Sequence, residues 1–430
     1  MRIIIHRGTE EIGGSCIELV AERSRILIDP GVPFPDDKEG HFDPKALEGR
    51  SLEELKGLKL LPDIKGLYKG EAKEVDAIFL SHSYLGHYGL LKYLSPDIPV
   101  YMSKGAGQLI KISDIFTPDK AGPINAKILS KNKRVSVGAF SVTPYIVDHP
   151  AFDARAFLIE AGNKRLFYSG DSRGHGRKSA LFNDMANKPP ADIDCLLIGG
   201  SMLGRDHQLY ETEEAVQAKI TKILKKAANI SFLFASYQNT DRSVSAYKAC
   251  LRTNSILIID IYTAFILDNL RKVSTHIAQF DLKNIRIRFL KQDADVLADA
   301  GYRNLLFAYN RRKIDIFEIN RKKKDILMLT GDNSDLPGIF KDIDGLEGAK
   351  IIYSMWEGHQ TDKFKQYCAR KGLDIEQVHT SGYAAVEDLK AFASAISPKT
   401  LIPINVSEGR ERPEIFENEK ILKAGELYEV

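Results

Sequence analysis

The residues best suited to chemistry lie in one short loop, Ser81–His87. The loop follows the apolar run 77–80, which predicts a strand, and leads into the stretch 88–91, which predicts the start of a helix. It holds two histidines, His82 and His87, and neutral imidazole is the commonest metal ligand among side chains. A loop at a strand end also leaves room for water and substrate beside an ion. The loop therefore predicts a metal site.

Two further donors follow predicted strands: His149 comes after the strand 140–147, and Asp171 comes after the strand 165–169. Either residue alone is typical of a turn or a cap. Combined with the loop histidines, they place four donors just past the carboxyl ends of strands, where open α/β sheets hold their ligands. We predict four metal ligands: His82, His87, His149 and Asp171. In an active protein, His149 and Asp171 would be the catalytic residues.

Composition excludes several classes of protein. The 430 residues carry a net charge of only +3, which by itself does not indicate a nucleic-acid partner. No run of 18 apolar residues occurs, so we expect no membrane partner. The four cysteines lack metal-ligand spacing and fit a reducing compartment, and the chain opens directly on a strand pattern without a secretory signal. We therefore expect a cytoplasmic protein.

Secondary-structure patterns divide the chain into an interrupted α/β domain and an insertion. Short predicted strands dominate the first two hundred residues, whereas helices and strands alternate from Glu213, as is typical of a parallel α/β unit. Short strands return after Lys350. We predict a first part at 1–204, an inserted domain at 205–355 and a return segment at 356–430.

The motifs, taken in order, resemble those of the metallo-β-lactamase superfamily, and more narrowly the RNase J-like β-CASP nucleases. The resemblance also includes Asp29 in Leu-Ile-Asp-Pro-Gly, the stretch Gly200–Gly204 and the stretch His379–Ala384. It covers nearly the whole chain. It implies a metallo-β-lactamase αβ/βα sandwich with an inserted β-CASP α/β domain, two metal ions (usually zinc), and hydrolysis of phosphodiester bonds in RNA or DNA.

Five positions depart from the pattern that the family implies. Tyr84 and Gly86 stand where the family has the second histidine and the aspartate of its H-x-H-x-D-H motif. Gly199 replaces an acidic residue, Tyr383 replaces the histidine of a Ser-Gly-His motif, and Asn405 replaces the last metal-binding histidine. We predict these five to be degenerate motif positions.

The donors that remain are too few for two ions. One site would keep His82, His149 and Asp171, whereas the other would keep only His87 and Asp171. Catalytic zinc commonly has three protein ligands and a water, so the second site is not viable. We expect no cofactor, or one weakly bound zinc.

Other residues of the motifs remain suited to binding. His379, Ser381 and Gly382 form a polar loop before a predicted helix, where backbone N–H groups can face a phosphate. Arg242 follows a predicted strand at a place where the family contacts its substrate, and we predict a phosphate contact there. The alternative is an ion pair at the start of a helix.

The sequence therefore predicts a catalytically impaired or inactive member of the family. We expect it to bind single-stranded RNA or DNA, or a partner protein or a second copy of itself. The main alternative is an active metal-dependent hydrolase, a ribonuclease or phosphoesterase, that uses one ion. A serine hydrolase is a minor alternative, since Gly170–Gly174 matches G-x-S-x-G between a strand and a helix pattern.

Overall fold

A computed structural model of the protein describes residues 1–32, 44–118, 120–204, 210–331, 336–406 and 415–430. In those residues the strands are β1 Arg2–Arg7, β2 Cys16–Ala21, β3 Ser24–Ile28, β4 Ala77–Phe79, β5 Pro99–Ser103, β6 Asn125–Leu129, β7 Val135–Val137, β8 Phe140–Ile146, β9 Arg155–Ala161, β10 Lys164–Tyr168, β11 Cys195–Gly199, β12 Ser231–Phe234, β13 Ile256–Ile259, β14 Ile285–Arg288, β15 Lys313–Ile314, β16 Ile326–Thr330, β17 Lys350–Tyr353, β18 Asp374–Gln377, β19 Thr400–Ile404 and β20 Leu427–Glu429.

The α-helices of the same residues are α1 Leu52–Gly57, α2 Leu85–Tyr88, α3 Lys104–Phe116, α4 Ser179–Asn187, α5 Glu213–Lys226, α6 Thr240–Thr253, α7 Ile261–Leu270, α8 Lys291–Leu297, α9 Arg303–Asn310, α10 Ile316–Lys322, α11 Leu336–Phe340, α12 Asp362–Arg370 and α13 Val386–Ile396. Within the described ranges, no helix has the length and apolar character needed to cross a bilayer.

Two sheets form the interrupted domain. The first has the order β20-β1-β2-β3-β4-β5-β6, and the second has the order β19-β11-β10-β9-β8-β7. Strand β19 pairs in parallel with β11, with Cys195 opposite Thr400, and β20 pairs with β1. The return segment therefore completes one edge of each sheet.

The two sheets pack face to face through alternate apolar side chains. Ile5 and Phe79 of the first sheet belong to the same buried cluster as Phe157 and Leu197 of the second. Each outer face is covered by helices: α3 contributes Ile110 on one side, and α4 and α13 cover the other. Burying one face of each sheet on the other and the second face under helices gives the four-layer αβ/βα sandwich that was predicted.

The third sheet is wholly parallel and has the order β15-β14-β13-β16-β12-β17-β18. Its central strands are short apolar runs, as expected where helices cover both faces. This is the predicted inserted α/β module, but it extends through β18 and ends at Gln377. The sheet therefore continues past residue 355 by helix α12 and strand β18. The other predicted boundary, at 204/205, adjoins residues 205–209, which lie outside the described residues.

Candidate metal centre

Asp29 organises the loops around the predicted ligands. It follows β3 with a positive φ of 50°, and its carboxylate is buried. The carboxylate accepts hydrogen bonds from the backbone N–H of Ser81 at 2.7 Å, the Ser81 hydroxyl at 2.6 Å and the Tyr168 hydroxyl at 2.5 Å. Its Oδ2 is also 2.9 Å from Nδ1 of His87. Asp29 therefore fixes both ends of the histidine loop.

His87 bridges two buried carboxylates. Its Nδ1 contacts Asp29, and its Nε2 lies 3.1 Å from Oδ2 of Asp171. Burial by itself would lower the pKa of His87, but the charges of Asp171 and Asp29 outweigh it and raise the pKa to about 10. His87 therefore lies between two carboxylates, each within hydrogen-bond distance of one ring nitrogen.

His82 is prepared to bind an ion. The Ser81 hydroxyl already donates to Asp29, so Nδ1 of His82, 3.0 Å from that oxygen, must be the donor in their contact. The lone pair then lies on Nε2, which is buried and has no hydrogen-bond partner among the described residues. Burial, with His87 and His149 nearby, holds the pKa of His82 well below its usual range. His82 is therefore a neutral imidazole with a free donor atom.

His149 and Asp171 complete a three-residue cluster with His82. The ligand atoms of the three lie within 4.8 Å of one another. However, Nδ1 of His149 accepts a hydrogen bond from the backbone N–H of Ala151 at 3.1 Å, which places the proton of the neutral ring on Nε2. A metal ion at either nitrogen would displace that bond. The cluster fits one ion, with an adjustment at His149.

The predicted degenerate positions surround this cluster. The Tyr84 ring packs edge-on against His82 and His149, with centroid separations of 5.2 and 5.3 Å. Tyr84 also lines the large groove beside the site, as does His149. Gly86 lies in α2 and supplies no side-chain donor. At Gly199 an added Cβ would lie 3.3 Å from Oδ1 of Asp171, so a larger residue would press on that ligand.

Asn405 presents a donor to the cluster. Its Oδ1 accepts from the Ser15 hydroxyl at 2.7 Å, and this fixes the amide so that Nδ2 faces Oδ1 of Asp171 at 3.4 Å. An N–H group cannot bind a cation. Tyr383 is half-buried, and its backbone N–H donates to the Ser381 hydroxyl at 3.0 Å.

The predicted binding loop lies beside the cluster. His379 donates from Nδ1 to the carbonyl of Ser354 at 2.9 Å, and burial followed by the charge of Arg242 lowers the pKa of His379 to about 3. A Cβ on Gly382 would lie 3.7 Å from Nε2 of His149. His379, Ser381 and Gly382 all line the groove.

The phosphate contact predicted for Arg242 does not fit its surroundings. Its side chain is fully buried, and its guanidinium pairs with Glu213, with Nε at 2.8 Å from Oε1. A further nitrogen donates to Ser354, both to its hydroxyl and to its carbonyl. These partners occupy the guanidinium, so it has no exposed face for a ligand. The alternative of an ion pair at the start of α6 describes the structure.

A buried charge network joins the two modules, and no pattern in the sequence predicts it. Arg173 is fully buried, and it donates to Asp241 of α6 at 2.6 Å and to the carbonyl of Ser381 at 2.8 Å. Lys178 donates to the same aspartate at 2.7 Å. The only signal near Arg173 was the G-x-S-x-G pattern. In the described part of the chain, Ser172 has no hydrogen bond to a histidine, so the serine-hydrolase alternative finds no support.

A groove of about 2470 Å³ runs between the interrupted domain and the inserted module. Its described walls carry six basic side chains (Arg7, Lys59, Arg288, Lys291, Lys313, Lys341) and six acidic ones (Glu10, Glu11, Asp260, Asp293, Asp315, Asp342). The walls are therefore balanced in charge. Their aromatic members include Tyr84, Phe289, Trp356 and Tyr383.

Comparison with known proteins shows which class of protein this chain resembles. Residues 24–227 match the family model described as a beta-lactamase superfamily domain. The chain is 24% identical to Probable RNase MJ4 of Methanocaldococcus jannaschii over 53% of this chain and 50% of the relative. It is 22% identical to Ribonuclease J of Helicobacter pylori over 93% of this chain and 55% of the relative. The transcription termination factor FttA of Methanothermobacter thermautotrophicus is 21% identical over 93% of this chain and 65% of its own length.

A crystal structure of a protein of unknown function from Enterococcus faecalis V583 has the same fold. Its TM-score is 0.79, with 23% identity and 99% of each chain covered. These likenesses support the RNase J-like metallo-β-lactamase/β-CASP family that the sequence motifs predicted. The chain spans about half the length of the ribonucleases named above.

Proposed function

We propose that this protein is a catalytically impaired or inactive RNase J-like protein that binds RNA in the groove between its two modules. The observation that carries the proposal is the amide of Asn405, whose N–H group faces Asp171. Two-metal hydrolysis needs a second ion beside the first, held by donors that both ions share. At that position Asn405 offers an N–H group in place of a lone pair, and Gly86 supplies no side-chain donor.

RNA is supported as the ligand by the family and by the groove. The relatives named above include two ribonucleases, and the groove is lined by His149 of the cluster and by the loop His379–Tyr383. A space of this volume, open along both modules, suits an extended strand better than a small metabolite.

Binding without cleavage is the expected result with a single-stranded RNA of about 12 nucleotides. Because the charges of the groove walls balance, few counterions would be released, and the affinity should fall only shallowly with salt. Fluorescence anisotropy of the labelled RNA at several salt concentrations measures the affinity, and gel analysis of the same samples detects cleavage. Duplex RNA of the same sequence is the control. An absence of binding even at low salt would overturn the RNA assignment and leave a protein partner or a second copy as the occupant.

A hydrolase with one ion is the second candidate, and the free Nε2 of His82 favours it. His82, His149 and Asp171 would hold the ion. A bound zinc would polarise a phosphoester and lower the pKa of a bound water.

Metal analysis tests this second candidate. Protein prepared without chelators should contain at most about one zinc per chain, and His82→Ala should remove it because His82 supplies the free lone pair of the cluster. His276→Ala is the matched control, since His276 is exposed and distant in sequence from the motifs. Circular dichroism confirms that each variant is folded. Two tightly bound ions per chain in the unmodified protein would contradict the proposed function.

A further inference from the structure

The positive charge of the protein is concentrated in one stretch of the inserted module, 303–325. This stretch contains α9, β15 and α10. It holds eight arginine and lysine residues and three acidic ones, a net charge of +5, whereas the whole chain carries only +3. The rest of the chain therefore carries −2, and attraction for a polyanion should be strongest at this stretch.

Four basic side chains of the stretch are exposed and have no partner within the described residues. Lys322 pairs with Glu318 at 2.7 Å. Lys323 and Arg312 donate to backbone carbonyls, and Lys313 lies over an aromatic ring at 5.5 Å. The basic residues left without a hydrogen bond or an ion pair are Arg303, Arg311, Arg321 and Lys324.

Helix geometry places an exposed phenylalanine beside arginines on each of two helices. In α9, Arg303, Phe307 and Arg311 follow one another at intervals of four residues, so they lie on one face of the helix. In α10, Phe317 and Arg321 have the same spacing. The two phenylalanine side chains are 75% and 77% exposed, and neither takes part in a ring contact in the described part of the chain. Each helix thus presents an aromatic ring next to guanidinium groups.

Both rings lie outside the hydrophobic cores that hold their helices. Tyr309 of α9 belongs to the core on one face of the parallel sheet, and Ile319 of α10 belongs to the core on the other face. Phe307 and Phe317 belong to neither core. The two helices therefore flank the edge strand β15 and turn these rings toward solvent.

The exposed residues form one surface at this edge of the module, which we call the edge surface. It adjoins the groove, because Lys313 and Ile316 line the groove. Arg311 is two residues before Lys313, and Phe317 directly follows Ile316. The edge surface consists of Arg303, Phe307, Arg311, Phe317, Arg321 and Lys324.

We infer that the edge surface binds single-stranded RNA outside the groove, as a second contact for a strand that extends beyond it. Its cations would contact phosphates, and unpaired bases would stack on the two phenylalanine rings. A membrane would instead select a continuous apolar face, whereas here each ring has an arginine four residues away. The inference rests on the proposed function for the ligand that it names, but it assigns that ligand a different site.

Strand length and salt separate the two sites. We expect single-stranded RNA of about 30 nucleotides to bind more tightly than RNA of about 12, and with a steeper dependence on salt, because only the longer strand also reaches the edge surface. Fluorescence anisotropy of both labelled strands at several salt concentrations measures this difference.

Charge variants test the phosphate contacts. Arg303→Ala, Arg311→Ala and Arg321→Ala together should lower the salt slope for the longer RNA by about 2, since each phosphate contact of a single strand contributes about 0.7. Replacing three exposed lysines of α5 in the same module is the matched control, because it removes equal charge outside both the groove and the edge surface. Its changes are Lys222→Ala, Lys225→Ala and Lys226→Ala, which should leave the slope as it is. Equal slopes for the two triple variants would overturn the inference.

Ring variants test the stacking. Phe307→Ala and Phe317→Ala should each weaken binding of the longer RNA roughly five- to a hundred-fold, whereas Phe307→Tyr should keep the affinity. Duplex RNA should be bound equally by all of these variants, because its bases are already stacked in pairs. Circular dichroism confirms that each variant is folded. Unchanged affinity for the longer RNA in both alanine variants would refute the stacking contacts.

The two strand lengths also distinguish a failure of this inference from a failure of the proposed function. If the shorter RNA binds and the longer one gains nothing, the edge surface is overturned and the groove assignment stands. If the longer RNA binds through the edge surface while the shorter one does not bind, the inference stands and the groove assignment falls. No binding of either RNA at low salt would overturn both.

Discussion

Replacing Glu213 with glutamine should lower the free energy of unfolding at neutral pH by about 3–5 kcal/mol. Glu213 is fully buried and pairs with Arg242, and its Oε2 lies 3.8 Å from Arg173. The neutral amide would remove the negative charge that lies beside the two buried guanidinium groups of Arg242 and Arg173. Chemical denaturation followed by circular dichroism measures the loss.

The same variant should also change how stability depends on pH. Burial alone would raise the pKa of Glu213, but the adjacent charge of Arg242 and its hydrogen bond lower it from 4.5 to about 2. The folded protein therefore binds this proton less readily than the unfolded chain. The stabilisation is complete above about pH 4.5 and is lost as the pH falls toward 2. Glu213→Gln removes the proton-binding group, so its curve should be flatter across that acid range.

Glu214 provides the control for both measurements. It is the next residue along α5, its side chain is 63% exposed, and its contact with Arg177 is 3.7 Å long. Glu214→Gln should change stability by no more than about 0.5 kcal/mol at any pH. Similar losses in the two variants would contradict the role assigned to the buried network.

Restoring the ligand set is expected to produce nuclease activity. The combined change is Tyr84→His, Gly86→Asp, Tyr383→His and Asn405→His. It supplies donors for a second ion, removes the ring that packs against His82 and His149, and returns a proton donor near the leaving group. Gly199 stays unchanged because a side chain there would crowd the Asp171 carboxylate. We expect about two zinc ions per chain and cleavage of single-stranded RNA at least roughly a hundred-fold above background.

A fifth substitution controls for contaminating nucleases. Adding Asp171→Asn to the restored protein removes the carboxylate that both ions would share, so activity and the second ion should both disappear. If the unmodified protein already cleaves RNA as fast as the restored one, the proposal of impaired catalysis is wrong. A folded, restored protein that holds two ions and remains inactive would contradict the roles given to Tyr383 and the groove.

The sequence predicted where the ligand residues lie in the fold better than it predicted the contacts of their side chains. Strand patterns and glycine turns located His82, His149 and Asp171 at strand ends, and the structure gathers these three. The sequence also predicted the position of His87, but it did not predict that the His87 ring contacts the carboxylates of Asp29 and Asp171. These two contacts depend on how side chains from three strand ends are oriented in space. The spacing of residues along the chain does not predict that orientation.

Two other differences have physical causes of the same kind. The phosphate contact predicted for Arg242 rests on a resemblance to a place where the family contacts its substrate, whereas the structure pairs Arg242 with Glu213 of another helix. The predicted end of the inserted module at 355 rests on the short strands that return there in the sequence. Strand β18 is mostly exposed and polar, so its pattern did not show that it pairs in parallel with β17.

The pairing of the return segment has a consequence for how the protein is made. Strand β19 pairs with β11 and strand β20 pairs with β1, each at the edge of its sheet. Both strands leave the ribosome only after the whole inserted module. Until then, β11 and β1 each present an open row of backbone groups that can recruit another chain. The module holds only parallel pairings within one continuous stretch and can fold before that point. Nascent chains halted before residue 400 should therefore be prone to aggregate and to depend on chaperones.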